Sequence, residues 1–129
     1  MSADPIVIVS AARTPIGGLL GDFSSLAAWE LGAVAIKAAV ERAKVPGDAI
    51  DEVLMGNCLM AGQGQAPARQ AMRKAGLPDS AGAVTLSKMC GSGMRAMTSE
   101  LSATGELVAA LRGDDPPLRR DQRRVWQDR

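Results

Sequence analysis

Three short apolar runs alternate with three predicted helices, and that alternation predicts an α/β layered domain. Residues 6–9 read Ile-Val-Ile-Val and follow Pro5. A continuous β-branched run of this kind predicts a strand buried on both faces, as in parallel sheets. Residues 50–56 predict a second strand with a polar lead-in, and residues 84–86 a third. A helix is predicted over residues 26–43. Ser24 and Ser25 are N-cap candidates, while Leu31, Val34, Ala35, Ala38 and Ala39 keep helical spacing. Val45-Pro46-Gly47 ends that helix. Pro67 suits the first turn of a second helix running to Lys74, which Gly76-Leu77-Pro78 stops. A third helix starts near Cys90, and no internal repeat is visible.

The material for a core is unusual. The 129 residues suffice for one domain, yet the aromatics are only Phe23, Trp29 and Trp126. Ala, Val, Ile, Leu and Met must build the interior, and side chains this small let helices and strands approach closely. The glycine-rich loop over residues 11–21 has neither a GxGxxG spacing nor a Gly-Lys-Ser/Thr ending, so it predicts a turn with positive φ angles at glycine rather than a phosphate cradle.

Charge and cysteine usage narrow the function classes. Fifteen Lys plus Arg against 14 Asp plus Glu leave a formal net charge of +1, which gives no push toward nucleic acid or an anionic membrane. No apolar run approaches the ~20 residues that span a bilayer, and the N-terminus lacks the pattern of a secretory signal. Cys58 and Cys90 form no CxxC pair, and the chain has no His to complete a zinc site. The commonest general base is therefore missing as well. Two cysteines with no dense framework suit a reducing, cytoplasmic setting.

The sharpest local feature is the stretch from Thr85 through Cys90-Gly91-Ser92-Gly93 to Met97. It sets a cysteine where a buried strand turns into a helix. A helix N-terminus offers unpaired N–H groups and a partial positive charge, which favour a negative sulfur. Gly91 and Gly93 remove side-chain bulk, so a carbonyl substrate has room to approach. Pattern alone leaves two readings open: an activated nucleophile on a strand-to-helix turn, and an inert apolar residue, the commoner use of cysteine. Cys58 follows a strand near glycines but has no helix start beside it.

The Cys90 segment resembles the nucleophile signature of the thiolase family, a cysteine followed by Gly-Ser-Gly and an Ala-rich helix. Three further blocks resemble the family in order. Ile6 through Arg13-Thr14-Pro15-Ile16-Gly17 resembles its opening strand and loop, and Glu30-Leu31-Gly32-Ala33 its first helix. Asp51-Glu52-Val53-Leu54-Met55-Gly56-Asn57, with Gly62-Gln63-Gly64-Gln65-Ala66-Pro67-Ala68-Arg69-Gln70, resembles its second strand and the helix start after it. The resemblance covers roughly residues 5 to 97. It implies a layered thiolase-like fold, here an N-terminal partial domain with a mixed sheet and flanking helices. It also implies that Cys90 is the acyl-accepting nucleophile. The implied chemistry is acyl transfer, of the acetyl-CoA acetyltransferase or 3-ketoacyl-CoA thiolase type. Coenzyme A thioesters are then substrates, and no cofactor is permanently bound. Transferase activity in fatty acid metabolism follows from the same resemblance.

The family needs more than this cysteine. A histidine acts on the nucleophile and a second cysteine near the C-terminus moves a proton, and neither has a match here. The resemblance also stops abruptly. Residues 1–97 are expected to form the partial thiolase domain, and residues 98–129 a divergent helix end with a disordered tail. From Thr98 onward there is no Lys while Arg appears six times, and Gly113-Asp114-Asp115-Pro116-Pro117 breaks regular structure. A shift of reading frame near codon 97 accounts for that change. The expected outcome is an acyltransferase fragment, truncated and inactive alone. The alternative is a non-catalytic remnant or a piece that pairs with another thiolase subunit. Faces that pack within the family are expected to be bare here, which favours self-association.

Overall fold

The computed structural model describes residues 7–103, with side chains described for residues 7–98. The elements in chain order are α1 (Ala28–Ala43), a 3-10 turn (Gly47–Ala49), β1 (Glu52–Gly56), α2 (Pro67–Lys74), β2 (Gly82–Leu86) and α3 (Ser92–Ala103). β1 and β2 pair in parallel, with Glu52 opposite Gly82 and Gly56 opposite Leu86. α2 is the crossover between them, as parallel neighbours require. The expected α/β layering is present, and the described strand pair is parallel.

α1 begins two residues later than its spacing predicts, and neither expected serine caps it. The N-cap is Ala27. Glu30 supplies the missing acceptor: its Oε2 takes the Ala27 N–H at 3.0 Å. Gln63, from the loop after β1, accepts the Ala28 N–H through Oε1 at 3.1 Å. Two of the orphan donors of the first turn are thus satisfied from other positions. The helix ends on Lys44 in the left-handed conformation, φ 56°. Pro67 opens α2 as predicted, after Ala66 at φ 46°.

The core sits where α1, α2 and the strands meet. Ile50, Val53, Met72, Leu77 and Ala81 form it, with Ile36, Val40, Val45 and Ala83 packed against it. Small residues set the helix spacing. A Cβ on Gly32 of α1 would lie 3.2 Å from the Met55 side chain and 3.5 Å from Ala71 Cβ of α2. Ala33, Ala68 and Ala71 are buried beside this contact. Arg69, in the first turn of α2, reaches the turn before β2, donating to Ala81 O at 2.8 Å and Asp79 O at 3.0 Å.

Two further expectations fail. Residues 7–9 are not a strand; they are irregular and Ile8 is 72% exposed. A run buried on both faces needs a layer on each side. Val7, Ile8 and Val9 lack that cover among the described residues; Ile6 lies outside them. In the 11–21 loop, the positive φ belongs to Leu20, at 53°, and to none of its glycines. Gly17 serves instead by close approach: a Cβ there would stand 2.8 Å from the Phe23 ring.

Candidate active site

Parallel strands deliver the ends of β1 and β2 to one edge of the sheet, and Cys90 is built there. β2 ends at Leu86, and five residues turn the chain into α3. Met89 takes φ 47°, a left-handed conformation that costs a non-glycine residue about 1–2 kcal/mol. The turn is held by three backbone bonds: Gly91 N to Lys88 O at 3.0 Å, Ser92 N to Met89 O at 3.0 Å and Arg95 N to Gly91 O at 2.8 Å. Cys90 stands at the outside of this turn, exposed and free. The helix starts at Ser92, two residues past the position expected from the sequence.

Ser92 is the fastening of the site. Its Oγ accepts the Lys88 N–H at 2.8 Å and donates to Met89 O at 2.7 Å. The side chain is buried, so one hydroxyl uses both its donor and an acceptor inside the turn. The bonds close the loop on both sides of Met89 and hold its strained backbone in place.

β1 supports the turn from beneath. A Cβ on Gly56 would fall 2.5 Å from Ser92 C and 2.6 Å from Gly93 N, so only glycine lets the start of α3 lie on the strand end. Asn57 extends the ladder by one residue, donating from its N–H to Leu86 O at 2.9 Å. Its side chain is buried, and Nδ2 has no hydrogen-bond partner among the described residues. Thr85 Oγ1 accepts the Ala68 N–H at 2.9 Å, which ties the start of α2 to β2. Sequence reasoning recognised Cys90 and the two glycines after it. It missed Ser92 and Gly56, although a Ser at a helix start and a glycine closing a strand are signals of caps and close approach.

The two glycines differ in role. A Cβ on Gly93 would meet nothing within 4 Å, which leaves open space beside the first turn of α3. A Cβ on Gly91 would sit 3.4 Å from Lys88 O, so its smallness eases the turn. Cys58 is also exposed and free, just past the end of β1. No cluster of three His, Cys, Asp or Glu suited to a metal occurs among the described residues. An open cleft of about 680 Å³ lies elsewhere, lined by Ala11, Ala12, Arg13, Pro15 and Arg42, and neither cysteine borders it.

A cysteine exposed on a fastened strand-to-helix turn has the placement a nucleophile requires, and comparison with known proteins gives the family. Residues 6–106 match the N-terminal domain of thiolases. The chain belongs to the thiolase family. It is 60% identical over 92 residues to the mitochondrial acetyl-CoA acetyltransferase of Xenopus tropicalis, a span of 71% of this chain and 22% of that protein. It is 49% identical over 115 residues to the acetyl-CoA acetyltransferase of Rhizobium meliloti (strain 1021), 88% of this chain and 29% of that protein. Among solved structures, the Acat5 thiolase from Ascaris suum in complex with coenzyme A superposes with a TM-score of 0.72 at 42% identity, covering 74% of this chain and 25% of that one. The thiolase chain described here thus spans under a third of the length of these relatives. Among its described residues, no helix is long and apolar enough to cross a membrane.

Proposed function

We propose that this chain presents the acyl-accepting cysteine of a thiolase-type acyltransferase that acts on acyl-CoA thioesters. The reading rests above all on Cys90, exposed at the head of α3 on a turn fastened by Ser92. In the proposed step the Cys90 thiolate attacks the thioester carbonyl. A new C–S bond forms, the bond to coenzyme A breaks, and coenzyme A leaves as a thiolate that takes up a proton. The acyl group remains on Cys90 until coenzyme A or a second acyl-CoA takes it. Covalent catalysis of this kind divides one displacement into two easier ones.

The protein offers the nucleophile without its helpers. No histidine occurs in the 129 residues. The base that restores the thiolate each cycle must come from another chain or further sequence, and removing one member of such a unit costs orders of magnitude in rate. We therefore assign this chain acyl acceptance and place turnover with a paired thiolase subunit. Residues 1–97 carry the thiolase-like part of this proposal, and residues 98–129 lie largely outside the described structure. A role in fatty acid metabolism and a cytoplasmic site belong to the same proposal.

A second reading, a non-catalytic remnant, is favoured by that missing base. Mass spectrometry separates the two. The purified chain incubated with acetyl-CoA is expected to gain one acetyl group on Cys90, and Cys90→Ser to gain none there. An unmodified wild-type chain leaves the remnant.

A further inference from the structure

The same sheet edge carries a second thiol that acyl transfer does not use. β1 and β2 run in the same direction, with Gly56 opposite Leu86. The Asn57 N–H reaches Leu86 O at 2.9 Å, so the strands are still paired one residue past their ends. Neighbouring strands lie ~4.8 Å apart. The backbone contact between Gly56 and Ser92 then fixes the start of α3 against the end of β1. Cys58 is two residues beyond that contact on one side, and Cys90 two residues before it on the other. Both thiols are free and exposed, and residues 58–60 are irregular, without the constraint of a ladder. A disulfide requires Cα atoms roughly 4.4–6.8 Å apart, and two residues of chain on either side of the Gly56–Ser92 contact are short enough to let the two cysteines meet.

We infer that Cys58 is a resolving cysteine for Cys90, and that an intramolecular Cys58–Cys90 disulfide is a reversible redox gate on the nucleophile. The oxidant is a low-molecular-weight disulfide. The Cys90 thiolate attacks one of its sulfurs, forming a mixed disulfide and releasing one small thiolate. The Cys58 thiolate then attacks the Cys90 sulfur, the protein disulfide forms and the second small thiolate departs. Two protein thiols are oxidised, one small disulfide is reduced to two thiols, and the protons from the cysteines end on those thiols. In this state Cys90 has no free sulfur for an acyl group. The meaning of the gate rests on the acyl-acceptor role proposed above, while the disulfide itself does not.

The test treats the full chain with oxidised glutathione and reads intact mass and a non-reducing peptide map. The expected product is a monomeric chain lighter by two hydrogens, with no bound glutathione and one peptide linking Cys58 to Cys90. Its acetylation by acetyl-CoA is abolished and returns with dithiothreitol. Cys58→Ser is expected to stop at a glutathione adduct on Cys90 while the untreated variant still accepts acetyl. A wild-type chain that keeps glutathione on either cysteine, or links only to other chains, overturns the inference. Disulfide formation in a chain that never acetylates defeats the acyl-acceptor reading alone. Acetylation without the disulfide defeats the gate alone.

Discussion

At the scale of single residues, the site depends on two positions that perform no chemistry. Ser92 satisfies Lys88 N and Met89 O at once, inside a turn whose Met89 is left-handed. Ser92→Ala removes both bonds and leaves a backbone donor unpaired, a loss of about 1–3 kcal/mol. Urea denaturation is expected to show that loss, together with slower acetylation of Cys90; an unchanged acetylation rate would separate the hydroxyl from the nucleophile's geometry. Gly56 acts by what it lacks. Gly56→Ala drives a methyl to within 2.5 Å of Ser92 C, a backbone atom that moves only with α3 itself. Overpacking of this kind costs roughly 1–3 kcal/mol. The expected outcome is a lower melting temperature and a displaced Cys90, read as an altered alkylation rate.

At the scale of elements, one carboxylate both caps α1 and ties it to α2. Glu30 accepts from the Ala27 N–H and pairs with Lys74 of α2 at 2.6 Å, and Lys74 also stands over the Trp29 ring, 5.0 Å from its centre. The Lys74 hydrogen bond first, and the Ala27 N–H second, hold the Glu30 carboxyl below its ordinary value of 4.5. The folded state therefore binds this proton less readily than the unfolded chain. The stability that Glu30 contributes is present above its ordinary value and is lost as pH falls through the lowered one. Comparing urea midpoints of wild type and Glu30→Gln at neutral pH and in acid tests the sign. The gap is expected to be wide at neutral pH and to shrink on acidification; a gap that widens in acid would contradict it.

The same elements show what was legible in the sequence. α2 is read correctly because Pro67 opens it and Gly76-Leu77-Pro78 stops it. The start of α1 is not, since Glu30 and Gln63 replace the expected serine caps, and Gln63 comes from 35 residues away. Residues 7–9 mislead for a different reason. A β-branched run states a preference for burial, but layers contributed elsewhere decide whether burial is available. Cys90 was legible as a candidate nucleophile through its neighbours Gly91, Ser92 and Gly93; the hydroxyl bonds and the backbone contact that hold its turn belong to tertiary structure.

For the whole molecule, the described residues leave much apolar surface bare. Ile16, Leu19 and Leu20 are each at least 87% exposed, and Ile8, Leu59 and Met94 follow. The sheet has two strands among those residues, so each has one edge without a neighbouring strand. Surfaces of this kind seek partners. Sedimentation at rising concentration is expected to show self-association, and a strictly monomeric, cooperative melt would contradict it. A paired thiolase subunit that covers these faces is then expected to raise the melting temperature.

The central claim is that this fold makes Cys90, rather than any accessible thiol, the acyl acceptor. Cys58 is an internal control, since it is equally free and also exposed. The decisive measurement labels reduced chain in parallel with acetyl-CoA and with iodoacetamide, and resolves each cysteine by peptide mass spectrometry. Acetyl is predicted to favour Cys90 over Cys58 by about tenfold or more beyond the iodoacetamide ratio, a difference of roughly 1.4 kcal/mol in barrier. Equal acetylation of the two cysteines, after that correction, would contradict the account.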